Sequence, residues 1–257
     1  MIGLVLCVLA LSVHGVTGSE AVTITVVYNN VSGSKGLKTA WGQSCLIRGF
    51  DKTILFDTGG NGSTLLSNMR KMGIDPKEVD AVVLSHIHRD HTGGIWDLLE
   101  TRSNLEVYCL SSFPVSFRYR LEGSGVRPVE VSAPVKVCDG VYSTGEQEGR
   151  VNEQALVLKV KEGSIVLTGC SHPGVVAMVR RAKEVCPGEV YLLMGGFHLE
   201  WARKKRVASI IRELKLLGVR KIAPNHCTGS RATEMFKEAW GDDFVESGCG
   251  YVLKVDT

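Results

Sequence analysis

The 257-residue chain carries little net charge of either sign. Its 30 Lys and Arg nearly balance 27 Asp and Glu, leaving +3 with histidine neutral. That is no electrostatic footprint for nucleic acid. Long hydrophobic runs are missing too. The apolar stretch at residues 2–13 falls well short of the roughly 20 residues that cross a bilayer, so no stable membrane span is expected. None of the eight cysteines forms a C-x-x-C pair, which removes the zinc-ribbon class. No segment repeats at a fixed period and no low-complexity linker interrupts the chain, so a solenoid is not indicated.

What is present is an ordinary globular composition, 44% apolar and 22% charged, in a chain long enough to bury a full core. Residues 1–21 read as a signal peptide. The apolar run has the length of an h-region, and small residues suited to cleavage follow it. No Lys or Arg precedes the run, so an N-terminal strand of a cytoplasmic protein is the alternative. Export would place a single domain, residues 22–257, in the periplasm or outside the cell. Loss of Cys7 would leave seven cysteines, an odd number that cannot all pair. Cys170 and Cys227 are the thiols that sit beside motifs.

Strand and helix signals alternate along that domain. Residues 22–28 are an alternating β-branched strand, and 44–48 with 53–56 read as a hairpin. Strands are expected at 79–84, 105–110, 126–131 and 135–141. Residues 154–160 and 164–167 form a second hairpin signal, turning at Glu162-Gly163. Val207, Ile210, Ile211, Leu214 and Leu217 make an apolar helical stripe that Gly218 closes. Residues 113–122 are less regular and mix Phe113, Phe117 and Tyr119 with Arg118 and Arg120. They suit a lid that stacks a ring and meets an anion, or ordinary surface packing. Many strands with helices after several of them indicate a layered α/β sandwich.

The chemistry concentrates in Leu84-Ser85-His86-Ile87-His88-Arg89-Asp90-His91-Thr92-Gly93-Gly94. Three histidines and an aspartate fall within six positions after an apolar strand. Polar groups crowded at a strand end are expensive to desolvate unless something binds them. Imidazole and carboxylate together suit a divalent metal. His172, His198 and His226 also follow apolar runs, so six histidines occupy four strand ends. That distribution is expected when one edge of a sandwich builds a metal centre. Glu153 reads as a strand-edge residue, with a place near the site as the alternative.

His86-x-His88-x-Asp90-His91, with Asp57-Thr58-Gly59 upstream, resembles the metallo-β-lactamase superfamily. The resemblance implies a four-layer αββα sandwich with one or two metals at one edge. Leu37-Lys-Thr-Ala-Trp-Gly-Gln-Ser44, Gly169-Cys-Ser-His-Pro-Gly174, Gly195-Gly-Phe-His-Leu199 and His226-Cys-Thr-Gly229 are similar to a subgroup. That subgroup includes the archaeal dihydropterin–ribofuranosylaminobenzene-phosphate synthase. By resemblance, His86 and His88 are ligands of a first metal, and Asp90, His91 and His226 of a second. His172 is the candidate third histidine of the first site, and Asp57 the acidic residue that orients a histidine. The chain departs from the superfamily pattern in two places. Ser143-Thr-Gly-Glu-Gln147 lacks the usual histidine, and Thr168-Gly169-Cys170 stands where a bridging aspartate is usual. Either Cys170 is a soft ligand or His172 alone substitutes. A thiolate would favour zinc over manganese, with iron or nickel also in range.

Three functions are open at this point. The leading one is a metal-dependent hydrolase that uses metal-bound hydroxide on an ester, lactone, amide or phosphoester of a small molecule, anionic or carrying a ring. Asp90 would take a proton, and His198 would hydrogen-bond the oxyanion or leaving group. The alternatives are a synthase-like transferase that displaces diphosphate and a metal-binding protein without catalysis.

Overall fold

The computed structural model describes residues 21–102 and 104–256. The leader expected at residues 1–21 therefore lies, up to residue 20, outside the described residues. Among those described, two sheets form. The first contains β1 (Val22–Asn29), β2 (Gln43–Arg48), β3 (Ile54–Phe56), β4 (Ala81–Val83), β5 (Glu106–Leu110), β6 (Arg127–Val131) and β13 (Val252–Val255), in the order β13-β1-β2-β3-β4-β5-β6. The second contains β7 (Val135–Cys138), β8 (Val141–Ser143), β9 (Leu156–Val160), β10 (Gly163–Thr168), β11 (Val190–Gly196) and β12 (Val219–Asn225), in the order β12-β11-β10-β9-β8-β7. The helices are α1 (Gly62–Lys71), α2 (Arg89–Thr92), α3 (Ile95–Thr101), α4 (Val115–Gly123), α5 (Val175–Val185), α6 (Lys204–Leu216) and α7 (Ser230–Trp240).

Strand periodicity explains the layering. Side chains alternate across a strand. Leu156, Leu158, Ile165, Leu167, Leu192 and Met194 join a core shared with the first sheet. Their neighbours Val157, Val166 and Leu193 join a second core beneath α5, α6 and α7. Both faces of β9, β10 and β11 are thus buried, which is why these strands read as nearly continuous apolar runs. Leu65 and Met69 of α1, Leu98 of α3 and Leu121 of α4 cover the first sheet. Each fully buried side chain of this kind contributes about 1.5–3 kcal/mol. The result is an αββα sandwich.

Two local expectations need correction. The strand expected over residues 135–141 is two strands, β7 and β8, paired antiparallel. Asp139-Gly140 turns between them, and Gly140 adopts φ +78°, which a side chain would resist. The irregular stretch 113–122 is mostly helix α4. Arg118 is tied to the segment that precedes the helix. It donates to the carbonyls of Ser111 and Phe113, and Phe113 itself is buried.

Chain direction positions the site. β3 and β4 are parallel, as are β10, β11 and β12. The loops that follow these five strands meet along one edge of the sandwich.

Candidate metal centre

Each of those strands delivers a polar side chain to the shared edge. Asp57 follows β3 and the 84–91 stretch follows β4. Cys170 and His172 follow β10, His198 follows β11, and His226 follows β12. Among the described residues, the non-glycine residues with positive φ are Asp57 (61°), Ser171 (61°), His198 (51°) and His226 (48°). All four lie at this edge. The left-handed region costs an ordinary residue about 1–3 kcal/mol, a burden typical of functional sites.

The side chains converge in two sets. In the first, His86 Nε2 lies 3.1 Å from His88 Nδ1, and His172 Nε2 lies 3.2 Å from the same atom. In the second, His91 Nε2 is 3.2 Å from both His226 Nε2 and Cys170 Sγ. Asp90 Oδ2 completes it, 3.2 Å from His226 Nε2 and 3.5 Å from His91 Nε2. Ligand atoms about 2.0–2.1 Å from a tetrahedral ion stand roughly 3.3–3.4 Å apart. The observed spacings are therefore those of groups facing a common cation, and the donors in both sets fit a divalent metal.

Hydrogen bonds on the far side fix which nitrogen faces inward. Asp57 is buried and accepts from the Ser85 backbone N–H at 2.7 Å and the Ser85 hydroxyl at 2.8 Å. The Ser85 oxygen, having donated, accepts from His86 Nδ1 at 2.9 Å. Asp57 Oδ2 also receives His91 Nδ1 at 2.7 Å. Across the bowl, His226 Nδ1 donates to Asn30 Oδ1 at 2.8 Å. In each case the outer nitrogen keeps its proton, so Nε2 is the nitrogen that faces the centre.

Charge follows the same geometry. Burial and the neighbouring imidazoles push His86 well below the usual histidine range. Burial with His198 and His88 lowers His172 to about 4. Both rings are therefore neutral and able to bind metal at pH 7. His91 differs: burial opposes its charge, yet adjacent Asp57 raises it to about 9. Asp90 is held well below the usual carboxylate range, because the bond from His226 and the charge of His91 outweigh burial. Cys227 adjoins Cys170, and a hydrogen bond between the two thiols favours ionisation at Cys227.

Every sequence-selected residue reaches this edge. Cys170 and His172 enter different sets, so neither simply replaces the other. His198 stays outside both; its ring lies 4.6 Å from that of His172, and it is exposed. Glu153 is the correction. It is fully buried rather than at a strand edge, and it accepts the backbone N–H groups of Cys170, Ser171 and His172 at 2.8–2.9 Å. Burial raises it to about 7 against those donors. It thereby shapes the loop that carries two donors. Asn30 and Ser85 also escape sequence reading. Ser85 lies inside the motif, whereas Asn30 sits 196 residues from its partner with no local signal.

A cleft of about 490 Å³ opens onto the centre, lined by Trp41, His172, His198, Trp201, Arg206 and Cys227 among others. Trp41 is 49% exposed and Trp201 88% exposed, and the Trp41 ring also lies 4.8 Å from that of His226. A larger cleft beside α4, where Arg120 stacks over Trp96 at 3.7 Å, touches none of the donors.

A family model described as the metallo-beta-lactamase superfamily matches residues 42–179, more than half of the chain. The chain belongs to the metallo-beta-lactamase superfamily. It is 34% identical over 251 residues to the 7,8-dihydropterin-6-methyl-4-(beta-D-ribofuranosyl)-aminobenzene-5'-phosphate synthase of Methanocaldococcus jannaschii, spanning 80% of this chain and 85% of that protein. The crystal structure of a metal-dependent hydrolase of the beta-lactamase superfamily superposes with a TM-score of 0.77 at 26% identity. That match covers 92% of this chain and 100% of the other. A metallo-beta-lactamase fold protein of Bacillus subtilis gives a TM-score of 0.69 at 17% identity over 91% and 99% of the two chains, a likeness of fold alone. Metallo-beta-lactamase superfamily proteins typically bind divalent metals, and the two donor sets stand where this chain offers candidate ligands. No helix among the described residues is long and apolar enough to cross a membrane.

Proposed function

We propose that this protein is a metal-dependent hydrolase of a small, ring-bearing or anionic substrate, cleaving an ester, lactone, amide or phosphoester. The observation that carries the reading is the three-imidazole set of His86, His88 and His172. Three protein donors with a remaining open position are the pattern of catalytic rather than structural metal sites. In this reading those histidines hold one divalent ion, and Asp90, His91, Cys170 and His226 hold a second. The sulfur donor favours zinc over manganese. Such ions, when bound, make water acidic at neutral pH and polarise the scissile group.

The remaining work falls to side chains. Asp57, Ser85 and Asn30 hold the imidazole tautomers. Asp90, ionised and partly open to the bowl, accepts the proton of the attacking water. His198 stands at the cleft wall and donates to the leaving group. Its contact with Cys227 raises its affinity for that proton. Trp41 and Trp201 offer ring faces, and Arg206 offers a cation to an anionic substituent. The same reading includes export through the apolar residues 2–13, which N-terminal sequencing of the mature protein tests.

The main test combines metal analysis with turnover on ester, lactone, amide and phosphodiester panels. His88→Ala is expected to lose bound metal and activity together while its circular dichroism persists. Hydrolysis that survives this change overturns the reading. The 34% identity to a synthase favours a second reading, a transfer in which an arylamine replaces water and diphosphate leaves. Heavy-oxygen water separates the two, because only hydrolysis labels the product. Bound metal without turnover in either assay would leave a non-catalytic metal-binding protein.

A further inference from the structure

Cys227 takes no part in either donor set, yet it is buried at the floor of the same cleft. Its sulfur lies with Cys170 Sγ and a His198 ring nitrogen in a third group, all three atoms within 4.8 Å of one another. The donors come from the ends of three adjacent parallel strands. Cys170 follows β10, His198 follows β11, and Cys227 follows β12.

The gap between them is built into the chain. Gly196, at the end of the middle strand, has no side chain to separate the sulfurs. A Cβ there would lie 2.7 Å from Cys227 Sγ and 2.5 Å from the Gly169 carbonyl oxygen, closer than real contacts allow. His198 then turns through φ +51°, which carries its ring back over the thiols. The contacts these sulfurs make with backbone are weak: Cys227 Sγ reaches the Cys170 carbonyl at 3.8 Å.

Two thiols and one imidazole are soft donors, the set that selects a thiophilic ion with a filled d shell over magnesium, calcium or manganese. Three donors leave a fourth position toward the cleft, and exposed His198 gives an entry path. We propose that Cys170, Cys227 and His198 form a third metal site, specific for thiophilic divalent or cuprous ions. It shares Cys170 with the set containing Asp90, His91 and His226. In protein loaded at the two main sets, where Cys170 is already a thiolate ligand, binding displaces the Cys227 proton to solvent and makes Cys170 a bridge, or draws it away from its neighbours. Excess thiophilic metal is therefore inhibitory, because it occupies His198 and perturbs Cys170.

Cadmium is the probe. Protein already loaded at the two main sets is titrated with Cd(II), followed by the ultraviolet thiolate-to-cadmium charge-transfer band and cadmium NMR. Wild type is expected to take up a third equivalent. Cys227→Ser is expected to lose that equivalent together with the charge-transfer band that accompanies it. Its two main equivalents stay bound. Cys186→Ser, a buried thiol in the other core, is the control and should titrate like wild type. Saturation at two equivalents in wild type refutes the proposal, as does a third equivalent that persists in Cys227→Ser. Melting curves confirm that both variants are folded, and Cys227→Ala repeats the test without a hydroxyl. The outcome is independent of whether the enzyme hydrolyses or transfers.

Discussion

Asp57→Asn isolates the tautomer control of the centre at nearly constant shape. Three donors converge on the two carboxylate oxygens: the Ser85 N–H on Oδ1, and the Ser85 hydroxyl and His91 Nδ1 on Oδ2. An amide has one accepting oxygen, so its NH2 must face a donor. Placed at the Oδ1 position, it opposes a backbone N–H that cannot reverse. Placed at the Oδ2 position, it forces His91 to accept at Nδ1 and carry its proton on Nε2, inside the bowl. It also turns the Ser85 hydroxyl away, so that His86 loses its acceptor and shifts its proton inward as well. Either placement leaves a buried donor unpaired, which costs about 1–3 kcal/mol of stability. Loss of such an orienting partner lowers metal affinity about 10–100-fold. At 1.36 kcal/mol per decade that is about 1.4–2.7 kcal/mol. Competition against a chelator of known affinity measures it. Both metal equivalents should weaken in Asp57→Asn, whereas Ser85→Ala should weaken chiefly the one held by His86. Asp57→Asn with affinity within twofold of wild type would show that the carboxylate does not set the tautomers.

Two further predictions follow from buried groups. His91 is raised from 6.5 to about 9 by Asp57 against burial. The stability from that pair is fully present below the unfolded value of 6.5 and is lost as pH climbs through about 9. Chelator-treated protein should therefore melt at lower temperature as pH rises across that window, and metal uptake at pH 7.5 should release a proton. A melting temperature flat from pH 6 to 9.5, unchanged by Asp57→Asn, contradicts this. Phe236 is fully buried against Phe197, with ring centroids 5.3 Å apart. Phe236→Ala should cost about 3–5 kcal/mol in urea denaturation, while affinity for metal in the folded fraction is retained.

The candidate metal-binding edge was legible because its signal is chemical. Imidazoles and a carboxylate at strand ends have few other uses, and the spacing of His86, His88, Asp90 and His91 survives folding unchanged. The two hairpins and the stripe of α6 were legible because their periodicity matches their burial. α4 was not. Val115, Phe117, Tyr119 and Leu121 alternate with polar residues, the pattern of a strand, yet only Leu121 of the helix is buried. Glu153 was hidden for another reason. Its partners are backbone N–H groups 17–19 residues away, and backbone donors leave no mark on side-chain identity. Asn30 and Trp41 reach His226 only through tertiary folding.

The strained turns at Asp57, Ser171, His198 and His226 have a consequence for protein engineering. Each holds an ordinary residue in the region glycine favours. Glycine at such a position would relax the turn while deleting an imidazole, an orienting carboxylate or the Ser171 hydroxyl that donates to the Gly196 carbonyl. Selection for thermal tolerance alone would accordingly drift toward an inert sandwich. A search for sturdier variants has to screen for retained metal at every round.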